Sequence, residues 1–183
     1  MYGAGYWDFA YILIDWIFMT RYYAGIGSRE TPSHILDMMA SIAIALETKG
    51  FVLRSGGADG ADSAFARDVT NTQVFIPWTG FNGVTSSFIG ASDRAMGIAK
   101  NIHPAWDKCS QGAQKLHGRN VHQVLGVDID PATYSRFVIC WTPRGLDVGG
   151  TATAIRLARS VGIPVFNLAI DADYDRLKAL ISA

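Results

Sequence analysis

The chain has 183 residues, 49% of them hydrophobic and 17% charged, a composition that excludes intrinsic disorder and suits one domain with a sizeable core. Lysine plus arginine equals aspartate plus glutamate at 16 each, so no global basic excess advertises nucleic acid, although a local groove for single strands stays open. Cys109 and Cys140 fit no metal-ligand spacing, and Cys140 sits inside an apolar run, which reads as a reduced, cytoplasmic protein with two thiols.

Residues 1–20, MYGAGYWDFAYILIDWIFMT, are aromatic and apolar but carry no basic leader region and no small-residue cleavage site. Asp8 and Asp15 interrupt them, and the run Phe9–Leu13 is too short to span a bilayer. They read as an amphipathic helical extension packed on the domain or on a second subunit, with no membrane partner. Their apolar surface makes a homo-oligomer the expectation.

From Arg21 onward strands alternate with helices. Arg21–Ala24 is a short strand entering Gly25-Ile26-Gly27-Ser28-Arg29. Thr31 is expected to cap the next helix, with Pro32 in its first turn, Ile35, Met38, Met39, Ile42 and Leu46 as its core stripe, and Gly50 at its end. Phe51–Arg54 is the second strand, followed by Ser55-Gly56-Gly57-Ala58-Asp59-Gly60-Ala61-Asp62 and a helix over about Ala61–Val69. Gln73–Pro77 is the third strand, and a loop through Trp78, Phe81 and Asn82 leads to helices at Ser92–Asn101 and Pro104–Leu125, the latter broken near Gly118. Arg136–Trp141 reads as a buried strand, Ala152 to Val161 as a helix stopped by Gly162, Val165–Leu168 as a strand and Tyr174–Ile181 as a closing helix. No linker or repeat marks a further domain, so residues 21–183 form one α/β Rossmann-like unit: a mainly parallel sheet with helices on both faces.

Three glycine-bearing loops, Gly25–Arg29, Ser55–Asp62 and Gly149–Thr151, each follow a predicted strand and precede a helix. In a parallel sheet they share the carboxyl edge, where ligands collect and where helix N-terminal amides point. Bare glycine backbone admits a phosphate, and the hydroxyls of Ser28, Ser55, Thr151 and Thr153 add donors. The phosphate loop G-x-x-x-x-G-K-[ST] is absent, and Gly25-Ile26-Gly27 lacks the third glycine of a dinucleotide turn, so ATP hydrolysis and nicotinamide redox chemistry lose ground and no cofactor is called for. Arg29 and Arg119 can fork onto phosphate, Asn120 can orient a ribose or base, and Trp78, Phe81 and Trp141 are candidates for base stacking. His34, His103, His117 and His122 read as scattered, with no metal site.

RYYAGIGSRETP, LRSGGADGADSAF, HGRN and GGTATAIRLARSVGIPVFNL, in this order over about Arg21 to Leu168, resemble the SLOG superfamily, the Rossmann-like fold shared by DprA-type DNA-processing proteins and Lonely Guy-type phosphoribohydrolases. The Ser55–Asp62 motif, the Arg119-Asn120 pair and the Gly149-Gly150-Thr151 helix start are most similar to DprA. The resemblance implies a pocket for a nucleotide or nucleotide-derived ligand, formed by Gly25, Gly27, Ser28, Arg29, Ser55, Gly56, Gly57, Ala58, Asp62, Arg119, Asn120, Gly149, Gly150, Thr151 and Thr153. It also implies a cytoplasmic setting in a bacterial or phage-infected cell. Single-stranded DNA is the alternative partner, and hydrolysis of nucleoside monophosphates the alternative activity. Against hydrolysis, the P-G-G-x-G-T-x-x-E signature laid over Val148–Arg156 meets Val148, Ala152 and Arg156 where that family has proline, glycine and the catalytic glutamate. No catalytic residue is assigned; Asp62 is expected to fix its loop or cap the following helix.

Overall fold

Tyr23 and Ala24 are consecutive and both buried, yet they belong to opposite cores, as expected of a strand covered on both faces. The computed structural model describes residues 20–182, so the helical extension expected at the N-terminus lies outside the described residues. Six strands, β1 (Arg21–Gly25), β2 (Phe51–Ser55), β3 (Thr72–Ile76), β4 (Phe88–Ile89), β5 (Val138–Cys140) and β6 (Val165–Asn167), form one sheet in the order β4-β3-β2-β1-β5-β6. Every pairing is parallel.

The helices are α1 (Ser33–Thr48), α2 (Ala61–Ala66), α3 (Asp93–Ile102), α4 (Gln111–Leu125), α5 (Thr151–Ser160) and α6 (Asp171–Ser182). On one face Ile35, Met39 and Leu46 of α1, Phe65 of α2 and Leu177 of α6 pack over Tyr23, Leu53, Phe137 and Ile139. On the other, Ala95 and Ala99 of α3, Val121 and Val124 of α4 and Ile155 of α5 cover Ala24, Val138 and Cys140. The chain steps outward from β1 to β4, then returns through α3 and α4 to β5 on the other side of β1. The reversal makes the carboxyl ends of β1 and β5 the switch point of the sheet. None of the described helices is long and apolar enough to cross a membrane.

Several boundaries differ from the sequence expectation, each for a local reason. Pro32, not Thr31, holds the N-cap position of α1 and provides no side-chain cap; the Thr31 hydroxyl instead donates to the Ser28 carbonyl at 2.7 Å. Gly118 does not break its helix. The interruption falls earlier, where a 3-10 turn at Trp106–Lys108 precedes Ser110, whose hydroxyl caps α4 by accepting from Ala113 at 3.2 Å. Gly118 lies in the middle of α4 because a Cβ there would stand 2.3 Å from Met96 Sδ and 2.9 Å from Ala91 Cβ, so the glycine lets α3 and its lead-in lie close. The second helix stops at Ala66, and β4 is a strand the sequence does not announce, being two residues long.

Glu47 ties the end of α1 to the turn before β3. Its Oε1 accepts from the amides of Thr70 (2.8 Å) and Asn71 (2.7 Å), and these bonds hold its carboxyl below the usual range. Because the folded value is depressed, this contribution is present above the unfolded glutamate pKa of about 4.3 and is lost as pH falls through the folded value. Urea unfolding at stepped acidic pH should therefore show a shallower acid loss of stability for Glu47→Gln than for the native chain. Parallel curves would show that the amides do not hold the carboxylate.

Candidate functional site

The site begins with four residues of α4, Leu116, Arg119, Asn120 and Gln123, whose spacing of three and four puts them on one helical face. That face is turned to the carboxyl edge of the sheet and lines a cavity of about 350 Å³. Ile26 to Glu30 after β1, Ala58 and Asp62 after β2, and Val148 to Thr151 at the start of α5 form the rest of its lining. The three glycine loops read from the sequence thus meet at one place, around the switch point.

Arg119 is the buried charge of the site, at 4% exposure. Its Nη1 donates to Asp62 Oδ2 at 3.2 Å and to Gln123 Oε1 at 3.0 Å, while its Nε and the Gln123 side-chain nitrogen have no hydrogen-bond partner among the described residues. Burial pushes the Asp62 carboxyl up and the Arg119 guanidinium down, and the pairing of the two opposes both shifts. Asp62 also accepts from the Ala58 amide at 3.4 Å, so it fixes its own loop as expected and in addition anchors α4 to it. Gly56 makes this possible: a Cβ there would stand 1.4 Å from Arg119 Nη1.

Asn120 donates from Nδ2 to the Gly150 carbonyl at 2.9 Å and so positions the loop before α5. That helix starts without a side-chain cap. Gly149 has φ +68°, which explains its glycine. Gly150 has helical backbone (φ −62°) and nothing within 4 Å of where a Cβ would lie, so neither conformation nor packing asks for glycine. On the opposite rim the Ser28 hydroxyl accepts from the Glu30 amide at 3.1 Å and keeps its own proton to donate. Arg29 is exposed and makes no side-chain hydrogen bond or ion pair among the described residues.

Of the residues anticipated from sequence, Gly27, Ser28, Arg29, Ala58, Asp62, Arg119, Asn120, Gly149, Gly150 and Thr151 line the cavity. Gly25, Ser55, Gly56, Gly57 and Thr153 do not, and each has a structural task. A Cβ on Gly25 would collide with the Phe65 ring at 2.6 Å, and Gly57 turns with φ +65°. The Ser55 hydroxyl, expected as a phosphate donor, is fully buried and spent on the carbonyls of Gly25 and Asp62, both at 3.1 Å. Thr153 Oγ1 lies 3.0 Å from His117 Nδ1. Neither Trp78, Phe81 nor Trp141 lines the cavity; Phe81 is buried beside Arg119, its ring centroid 6.0 Å from the guanidinium carbon. Arg156, at the position of the hydrolase glutamate, donates to the Asp147 carbonyl at 3.0 Å and also stands off the cavity.

Ile26, Glu30, Leu116, Gln123 and Val148 line the cavity without having been anticipated. Gln123 was findable, because it lies four residues after Arg119 and three after Asn120. Two of the four histidines are not scattered, in correction of the sequence reading: the rings of His103 and His117 have centroids 4.4 Å apart, with Cys109 beside them. A groove of about 560 Å³ at the amino edge, lined by Arg21, Lys49, Phe51 and Arg136 among others, is larger than the cavity. It has none of the glycine backbone or buried polar groups of the carboxyl edge, so chemistry rather than size decides between them.

No family model matches the sequence, and no curated protein matches it. A solved structure of DNA processing protein A from Helicobacter pylori, described for its single-stranded DNA binding mode, is similar at 18% identity and a TM-score of 0.47. The similarity covers 81% of this chain and 65% of that one.

Gly56→Ala should displace Arg119 from Asp62 and cost about 3 kcal/mol, the order expected when a buried ion pair is broken. Gly150→Ala, with open space around its Cβ, should cost less than about 1 kcal/mol. Chemical denaturation of the two variants checks this; equal stabilities would mean that Gly56 does not make room for the pair.

Proposed function

We propose that the chain binds a nucleotide or nucleotide-derived ligand, its phosphate on the Gly149-Gly150-Thr151 wall and its sugar or base toward α4. The observation that carries this reading is Gly150, a glycine that neither backbone geometry nor packing requires, at the uncapped start of a ten-residue helix and facing a cavity. An anion there meets bare backbone and the positive end of the helix. Supporting donors converge from the other walls: the free proton of the Ser28 hydroxyl, the Arg29 guanidinium and the Arg119–Gln123 pair with its unpartnered nitrogens. A volume of about 350 Å³ suits a ligand of mononucleotide size.

Binding rather than turnover is the reading the carboxylates favour. Asp62 is committed to Arg119 and the Ala58 amide, and Arg156 occupies the hydrolase position. Glu30 is the one observation on the other side. It lines the cavity, and its carboxylate makes no ion pair among the described residues. A hydrolase would need it as the group that assists departure of the base. Single-stranded DNA presents the same phosphates, so the motif resemblance supports it as the alternative ligand, and self-association remains the proposal for residues 1–20.

Mass spectrometry of small molecules released from the purified, denatured chain should identify a phosphate-bearing nucleotide. Calorimetry with that compound should show at least tenfold weaker binding for Gly150→Val and several-fold weaker binding for Arg29→Ala, with melting temperatures near the native value. Undiminished affinity in both variants would refute the pocket. Oligonucleotide binding that falls steeply with salt would instead assign the cavity to single strands. Release of free base from nucleoside monophosphates, lost in Glu30→Gln, would establish the hydrolase.

A further inference from the structure

Behind the cavity, where α3 hands over to α4, three potential metal ligands converge that the pocket does not use. His103 follows the last turn of α3, Cys109 follows the 3-10 turn Trp106–Lys108, and His117 is on α4. One ligand atom from each lies within 4.8 Å of the other two. Cys109 Sγ is 3.8 Å from both ring nitrogens of His103. Metal bonds of about 2.3 Å to sulfur and about 2.0 Å to nitrogen place tetrahedral S and N ligands about 3.5 Å apart, so small side-chain rotations close the set. The glycine at 118 contributes at a distance, by letting α3 lie close to α4 so that the segment following α3 stands beside His117.

A second observation is independent of these distances. Thr153 Oγ1 stands 3.0 Å from His117 Nδ1, and no hydrogen bond engages the other ring nitrogen among the described residues. With Nδ1–H donated to this hydroxyl, Nε2 carries the lone pair, the arrangement in which metal-bound imidazoles are commonly oriented by a neighbouring polar group. His117 is buried at 7% exposure, so this ring is held by its surroundings rather than swept by solvent. We propose that His103, Cys109 and His117 form a binding site for a divalent transition metal of the zinc class. Two imidazoles and one thiolate match zinc or cobalt rather than the oxygen-seeking magnesium or calcium.

The chemistry of capture follows from the present hydrogen bonds. Cys109 lies 3.6 Å from the Ala105 carbonyl as a thiol donor and releases its proton to solvent as sulfur takes the metal. The Ala105 amide donates to His103 Nδ1 at 3.1 Å, and capture exchanges this hydrogen bond for a metal–nitrogen bond. With three protein ligands, the fourth tetrahedral position belongs to water or an exchangeable ligand, the composition of reactive rather than closed structural zinc sites. The metal would also brace the pocket, since His117 lies two and three residues before Arg119 and Asn120 on α4, and Thr153 belongs to the helix that begins at the Gly150 wall.

The test is a titration of the reduced, chelator-treated full chain with Co²⁺ alone. One equivalent should give the visible absorption of tetrahedral cobalt and a thiolate-to-cobalt charge-transfer band, both abolished by added Zn²⁺. Cys109→Ser should lose the charge-transfer band, and His103→Gln should weaken Co²⁺ binding about tenfold or more. His34→Gln, remote from the cluster, should behave as the native chain, and far-ultraviolet circular dichroism should show each variant folded. Absence of the charge-transfer band in the native chain, or its survival in folded Cys109→Ser, would overturn the proposal.

Discussion

The buried ion pair of Arg119 and Asp62 is the constraint on which the arrangement of the site depends. A helix on one face of the sheet and a loop at its carboxyl edge are held together there by one guanidinium–carboxylate contact with both side chains 5% exposed. Such a pair is costly to bury and costlier to break, which makes it better at specifying one arrangement than at adding stability. Its surroundings follow from it. Gly56 must be a glycine to leave the guanidinium room, Gln123 must present an oxygen one turn on, and the Ala58 amide must turn toward Asp62.

Around that pair α4 performs two kinds of work. Val121, Val124 and Leu125 hold the helix to the sheet, while Leu116, Arg119, Asn120 and Gln123 turn a largely polar stripe toward the cavity. Asn120 then reaches across to the Gly150 carbonyl, so the helix positions the opposite wall as well as forming its own. Toward its N-terminal half the same helix carries His117. Pocket and proposed metal site are therefore neighbours on one rigid element.

The alternation of strands and helices was legible because short apolar runs alternate with stretches of helical period, and the first two runs end in glycine clusters. The three loops of the site were legible from their glycines. What the sequence could not separate was a glycine needed for packing from one left bare for a ligand. Gly25 and Gly56 face side chains and Gly150 faces space, a distinction that exists only once distant residues are in place. Ser55 illustrates the converse, a hydroxyl in the right motif consumed by two backbone carbonyls. Gln123 was legible only through its spacing from Arg119 and Asn120, since a polar residue on a helix otherwise reads as its solvent face. His103, Cys109 and His117 were hidden because their convergence is a product of helix packing rather than of a short ligand spacing. The two-residue β4 is too brief for any periodicity to show.

The strand order has a kinetic side. Ala24 and Val138 are cross-strand neighbours although three other strands and four helices lie between them in sequence. Contacts of such long range must close a large loop before they return any energy, and topologies built on them fold slowly. β2 and β3 join β1 over much shorter spans, so one half of the sheet can assemble before β5 docks. The cavity takes its walls from both halves and exists only after that docking. Whatever occupies it can hold the finished structure shut but has nothing to bind in the half-built one.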